Sequence, residues 1–223
     1  MIAKQALQQF QQDLDQALVV FEFDVYDFSE LDSVTCKGDG NLHQKALALF
    51  FADYEQHAPQ YIQDEKDSIQ QHLKTVDDDY VESRLRQRLT ELEVLIAHDL
   101  TLATSMPLDS VIELENSLIR ARKQQYQTWF DHFIFAFFEP PYSSHIRHKD
   151  DQLRVLTQFC TFTGLSKHAE IYDWVGCGGY VSPDRSEWSS YFELGREWWG
   201  NWCLTVVNET QQTVAVIVAS TTD

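Results

Sequence analysis

Basic residues are scarce in this chain of 223 residues. It contains 17 Lys and Arg against 35 Asp and Glu, which gives a formal net charge of −18. A surface of this sign repels phosphate, so the composition argues against the usual mode of nucleic-acid binding, which needs a basic stripe. It also disfavours binding to anionic membranes. Basic proteins and peptides are the partners that it attracts, although solubility alone explains the acidity equally well.

Cysteines are few and far apart. Cys36, Cys160, Cys177 and Cys203 form no CxxC pair, which argues against a dense disulfide framework and against the paired ligand spacing of structural zinc sites. The N-terminus lacks the basic and apolar regions of a secretory signal. The most apolar run, Trp129–Phe138, has about half the roughly 20 residues that span a bilayer. We therefore expect a cytoplasmic protein with free thiols and no membrane association.

Familiar catalytic and metal-binding motifs are also missing. The sequence has no P-loop, no GxGxxG after a strand and no GxSxG, which disfavours nucleotide chemistry and α/β-hydrolase chemistry. His145 and His148 are the closest histidine pair, and a site there would need further ligands such as His132 or His168. Because the HEXXH spacing is absent, a solvated loop explains the pair better. We expect no metal and no cofactor.

Two patterns would nevertheless suit an enzyme. Cys177 lies between glycines, and His168 precedes it by nine residues, as a thiol nucleophile and its base would require. A tight turn explains the glycines equally, and acidic surroundings oppose a thiolate. Glu193 and Glu197 are four residues apart and close to Asp184 and Glu187, a spacing that could pair carboxylates for glycoside hydrolysis. Carboxylates are too common in this chain for that pair to be diagnostic.

Helical periodicity dominates the chain before about residue 165. Asn41 is a predicted N-cap, Asp77, Asp78 and Asp79 are expected to cap a later helix, and Pro59 and Pro107 are expected to open helices. Residues 19–28 fit either a strand or a helix. We expect the helices over 80–100 and 107–137 to pair as an antiparallel hairpin across 104–106. The predicted helices cover residues 2–20, 42–58, 59–73, 80–100, 107–137 and 151–163, the last ending at Gly164.

The composition becomes β-rich after residue 165. Residues 171–175 read as a strand, and the β-branched runs 202–207 and 213–218 predict a hairpin around residues 208–212. The predicted fold is therefore α+β. A helical part over 1–165 is expected to pack with a small antiparallel C-terminal sheet over 166–223. The lack of a flexible linker favours one integrated domain over residues 1–223.

Aromatic residues are concentrated near the C-terminus, where acids also recur. Five of the six tryptophans fall in the last 50 residues, and some of them exceed what a small sheet can bury. Tryptophan and tyrosine are enriched at the energetic centres of protein interfaces, although a core role is the simpler explanation for several of them. The candidate partner-binding residues are Glu187, Trp188, Tyr191, Glu193, Glu197, Trp198 and Trp199, together with Asp77, Asp78 and Asp79.

A compact, acidic chain without a catalytic motif has the general profile of bacterial immunity proteins. The leading hypothesis is therefore a protein that neutralises a basic toxin or effector by covering its active site. A chaperone or adaptor for a secreted effector is the main alternative. A DNA mimic is disfavoured because residues 101–150 are nearly neutral, with six acids and five bases. An enzyme that uses Cys177 is the remaining alternative.

Overall fold

The computed structural model describes residues 4–35, 40–110, 112–139, 144–176, 183–193 and 201–220. Within these ranges the chain forms eight α-helices and five β-strands, which pack together. The elements in chain order are α1 Lys4–Gln16, β1 Glu22–Asp27, α2 Phe28–Leu31, α3 Leu42–Phe50, α4 Ala52–His72, α5 Asp79–Val94, β2 Met106–Pro107, α6 Leu114–Arg122, α7 Trp129–Phe138, α8 Lys149–Thr163, β3 Glu170–Asp173, β4 Trp202–Asn208 and β5 Thr213–Ala219.

The five strands form one sheet in the order β1-β5-β4-β3-β2, and every neighbouring pair is antiparallel. The predicted terminal hairpin is confirmed, with Trp202 opposite Ala219 and Asn208 opposite Thr213. The open question over residues 19–28 is resolved as a strand followed by a short helix. The predicted α+β class is confirmed, and two strands from the N-terminal part complete the largely C-terminal sheet.

Helices cover both faces of the sheet. On one face, Trp202, Leu204 and Val206 of β4 pack in a core with α1, α7 and α8. On the other face, Cys203 and Val207 pack with α3 and the 183–193 segment. Because side chains of a strand alternate between faces, a sheet covered on both sides needs apolar residues at consecutive positions. This explains the unbroken apolar runs of β4 and β5.

The boundary between α3 and α4 differs from the prediction. Asn41 caps α3 as expected, since its side chain accepts a hydrogen bond from the Gln44 N–H at 3.0 Å. The break falls at Phe51, however, and Pro59 lies inside α4 instead of opening a helix. Pro59 is exposed, so water can solvate the carbonyl group that proline leaves without a helical donor. The predicted end near Leu73 is confirmed.

The prediction that two long helices pair as a hairpin is wrong. Asp78 caps α5 as expected, accepting from the Tyr80 N–H at 2.8 Å, but α5 ends at Val94. Pro107 lies in the edge strand β2, where proline costs no sheet hydrogen bond. A left-handed residue, Gln124, then separates α6 from α7. As a result α5 packs against α4, and α6 packs against α7.

The last helix and the following strand agree closely with the sequence. Gly164 ends α8 with a φ of 71°, the left-handed conformation that favours glycine. Strand β3 ends at Asp173, two residues before the expected end of the strand. The buried Asp173 carboxylate accepts hydrogen bonds from the backbone N–H groups of Val175 and Gly176 and from Arg185. These bonds turn the chain away from the sheet.

Candidate partner-binding groove

The predicted acidic residues lie at opposite ends of α5. Asp77, Asp78 and Asp79 are exposed at its N-terminal end. The 183–193 segment, which contains Glu187 and Glu193, contacts its C-terminal end. A helix of 16 residues is about 24 Å long. The two acidic groups are therefore separate surfaces joined by one helix, and they do not form a single patch.

A surface groove lies between the end of α5 and the 183–193 segment. Its volume is about 500 Å³, and we call it the α5 groove. Val94 is 79% exposed within it, beside the exposed carboxylates of Glu91 and Glu187. Apolar surface next to exposed acids suits the side chain of a lysine or arginine, which has an apolar stem and a charged head. The described residues that line the groove are Glu91, Val94, Leu95, Ile96, Glu187, Ser189 and Glu193.

Arg88 fixes Glu193 at the inner end of the groove. Its guanidinium makes two hydrogen bonds to the Glu193 carboxylate and two to Glu65, at 2.8 and 3.0 Å. These bonds raise the pKa of Arg88 further above its ordinary value, with Glu193 the larger cause and Glu65 the second. Arg88 therefore holds Glu193 within the protein, and it also lies 3.8 Å from the Glu91 carboxylate. Glu91 and Glu187 remain exposed to solvent.

Hydrogen bonds to the residues after α5 hold the 183–193 segment in place. The Ser190 hydroxyl donates to the Ala97 carbonyl at 2.8 Å, and the Asp99 N–H donates to the Trp188 carbonyl at 2.8 Å. His98 Nδ1 lies 2.9 Å from the Ser189 hydroxyl oxygen. Burial lowers the pKa of His98, so its ring is held in the neutral form. These hydrogen bonds fix the 183–193 segment, which forms one wall of the groove.

The predicted aromatic contacts lie at different depths. Trp188 is 1% exposed, and its indole N–H donates to the Trp174 carbonyl at 3.1 Å. Tyr191 is half-buried against Phe51 and Tyr54, and burial raises the pKa of its phenol. The contact role predicted for Trp188 is untested, and because its ring is buried we expect it to stabilise the groove without contacting the partner.

Several sequence-predicted residues lie outside the described ranges. These are Glu197, Trp198, Trp199 and Cys177. The described thiols are Cys160 and Cys203, which are both buried. Burial raises the pKa of Cys160 to about 12 and also raises the pKa of Cys203 well above its ordinary value. Neither of these two thiols has the electropositive setting that a nucleophile requires.

The histidines considered as metal ligands are dispersed. His145, His148 and His168 are exposed, whereas the His132 ring packs on Tyr126 at a centroid distance of 3.9 Å. Within the described part of the chain, no three His, Cys, Asp or Glu side chains come close enough together to bind a metal ion. The same ranges contain no helix that is both long and apolar enough to cross a membrane.

Sequence reasoning missed Arg88 and Val94. Arg88 interrupts the apolar stripe formed by Leu85, Leu89 and Leu92, and a charge at such a position indicates a buried or half-buried ion pair. That signal was available, but its partner Glu193 is 105 positions away. No feature of the sequence indicated that Val94 is exposed, because its exposure depends on the residue at which α5 ends.

No family model, no curated protein and no solved structure matches this chain. The groove and its chemistry therefore carry the functional argument.

Proposed function

We propose that this protein acts in the cytoplasm by binding a basic protein through the α5 groove and neutralising it, as an immunity protein neutralises its toxin. The observation that carries the proposal is the exposed Val94 beside the exposed carboxylates of Glu91 and Glu187. The net charge of −18 gives the same groove a long-range attraction for a basic partner.

The groove suits one long basic side chain of the partner. Its aliphatic stem would pack on Val94, and its charged head would approach Glu91 and Glu187. The ion pair between Arg88 and Glu193 positions the groove wall without adding a free carboxylate. Electrostatic steering would speed association, and salt would slow it.

Neutralisation would follow from coverage of a basic active site. A toxin that acts on nucleic acid must present a positive surface to phosphate. An acidic protein seated on that surface excludes the substrate by charge and by volume. The same logic predicts that the complex forms only while the toxin's basic surface is free.

The test is co-expression with the product of the neighbouring gene. A tagged copy should capture that product at low salt, and the product should be toxic alone and harmless in the complex. Glu187→Lys should reduce both capture and protection. Glu209→Lys makes the same charge change in the turn between β4 and β5, which is not among the described segments that line the groove, and should reduce neither.

Two results would contradict the proposal. A neighbouring product that is harmless, or equally toxic with this protein present, removes the neutralising role. A captured product that stays fully active in the complex would instead support the chaperone or adaptor hypothesis, because such a protein binds away from the catalytic site.

A further inference from the structure

Two arginines line a second pocket, whereas the α5 groove is lined by acidic residues. It lies where the ends of α6 and α7 meet the beginning of α8, and its volume is about 340 Å³. Arg122, Arg147 and Glu139 are the charged residues among the described ones that line it. In a chain of net charge −18, a pocket lined by two arginines and one glutamate is more basic than the chain as a whole.

Neutral oxygen atoms hold Arg122 in this pocket. Its Nη1 donates to the Gln152 side-chain oxygen at 2.5 Å and to the Arg147 carbonyl oxygen at 3.2 Å. Gln152 is 3% exposed, and its own amide donates to the Ile146 carbonyl at 2.9 Å. The position of the guanidinium is thus fixed by groups that carry no negative charge.

Three other basic side chains of this region have acidic partners. In contrast, no carboxylate of the described residues lies within ion-pair distance of Arg122 or Arg147. Residues 140–143, which are outside the described ranges, are Pro-Pro-Tyr-Ser and supply no acid. The paired cations nearby are Arg120 with Asp131 at 2.9 Å, Lys149 with Glu115 at 3.2 Å and Arg154 with Asp151 at 3.5 Å.

Buried residues form the inner wall of the pocket. Ser144 is buried, and its hydroxyl donates to the carbonyl of the buried Phe138 at 2.9 Å. This bond joins the end of α7 to the chain that leads into α8. The pocket therefore has a packed inner wall, whereas Arg122 and Arg147 are both exposed. Of the two, Arg122 is held by the hydrogen bonds of its Nη1 group.

We infer that this pocket binds a small tetrahedral oxyanion, such as phosphate or the phosphate group of a small molecule, between Arg122 and Arg147. A guanidinium presents parallel N–H donors that match two oxygens of phosphate. Arg122 uses Nη1 for its contacts with the described residues, which leaves its Nε and Nη2 groups to donate to an anion. A bound anion would compensate two arginines that have no acidic partner among the described residues. This inference does not depend on the proposed function.

The test is a calorimetric titration of the full-length protein with inorganic phosphate at constant ionic strength. We expect saturable binding of one phosphate per chain, with chloride giving no saturable signal. Arg122→Gln and Arg147→Gln should each weaken binding by about tenfold, the usual loss when one charge-assisted contact is removed. Arg147→Gln keeps the backbone carbonyl that Arg122 uses, so the pocket should fold normally.

A variant that is expected to bind phosphate more tightly provides a second test. Glu139→Gln removes the one carboxylate among the described residues that line the pocket, so it should tighten phosphate binding severalfold. Arg86→Gln, on the exposed side of α5, is the control and should leave the affinity unchanged. The inference is overturned if phosphate binding does not saturate, or if Arg147→Gln and Glu139→Gln bind phosphate as the unaltered protein does.

Discussion

Arg88 of α5 makes two hydrogen bonds to the carboxylate of Glu193, 105 positions later in the chain. The same guanidinium also makes two bonds to Glu65 of α4. One side chain therefore connects α4, α5 and the segment that lines the groove. Arg88 is 27% exposed, so solvent screens this network only in part.

Replacing Arg88 should destabilise the protein more than replacing a neighbouring arginine. Arg88→Met leaves two half-buried carboxylates without a partner, and we expect the free energy of unfolding to fall by about 1–3 kcal/mol. Arg86→Met is the matched control, because Arg86 is exposed and pairs with Glu82 one turn away, an interaction worth about 0.5 kcal/mol or less. Urea unfolding of both variants measures the difference, and equal losses would contradict the role given to Arg88.

Trp188 should affect stability and leave partner binding intact. Trp188→Phe keeps most of the buried ring but removes the hydrogen bond to the Trp174 carbonyl, which should cost about 1–2 kcal/mol. Since the ring is 1% exposed, the folded variant should bind a partner with unchanged affinity. Thermal unfolding and a binding titration well below the melting temperature separate the two effects. A large affinity loss in the folded variant would show that Trp188 contacts the partner.

His43 should make the protein less stable as the pH falls. Its Nδ1 lies 2.8 Å from the Thr205 hydroxyl, which also accepts the Trp174 indole N–H. Burial lowers the pKa of His43, and the Glu170 carboxylate at 3.8 Å opposes this only in part. Below pH ~6.5 the unfolded chain therefore binds a proton at His43 that the folded protein binds less readily, which favours unfolding.

Removing His43 should flatten the pH dependence. Between pH 7.5 and 5.5, the unaltered protein should lose on the order of 1 kcal/mol more unfolding free energy than His43→Gln does. His72→Gln, at the exposed end of α4, is the control and should keep the steeper dependence. Denaturant titrations at the two pH values give the comparison. A His43→Gln variant with an unchanged slope would contradict this account.

Gly164 and Gln124 should respond in opposite directions. Both have positive φ angles, 71° and 54°. A Cβ at Gly164 would lie 2.9 Å from the Asn208 Cβ, so Gly164→Ala should cost about 1–3 kcal/mol through clash and strain. Gln124→Gly relieves left-handed strain and should change stability by about +0.5 kcal/mol or leave it the same. Loss of stability in Gln124→Gly would refute the strain argument.

Local signals in the sequence predicted the fold class and several element ends. The β-branched runs of β4 and β5, the N-caps Asn41 and Asp78 and the C-cap Gly164 depend on nearby residues, and all are confirmed. Prolines misled the prediction, because the role of Pro59 depends on exposure and that of Pro107 depends on a distant strand. Long-range packing decides the role of each of these prolines, and the periodicity of the local sequence carries no information about that packing.

The candidate site could be predicted only in part. The coincidence of acids and aromatics drew attention to residues 187–193, which do line the α5 groove through Glu187 and Glu193. Sequence alone did not separate the buried Trp188 from the exposed Glu187. It also gave no sign that the end of α5 supplies Glu91 and Val94, because that contact joins residues about 100 positions apart.

The most direct test of the α5 groove is the affinity of the captured basic partner for two double variants. We predict that Glu91→Lys with Glu187→Lys weakens binding by at least about a hundredfold, through the loss of two attractive contacts and the gain of repulsion. Glu209→Lys with Asp13→Lys makes the same total charge change on exposed positions elsewhere and should weaken binding by less than about tenfold, and high salt should abolish that smaller effect. Equal losses in the two double variants would show that net charge alone attracts the partner and would contradict a specific role for the groove.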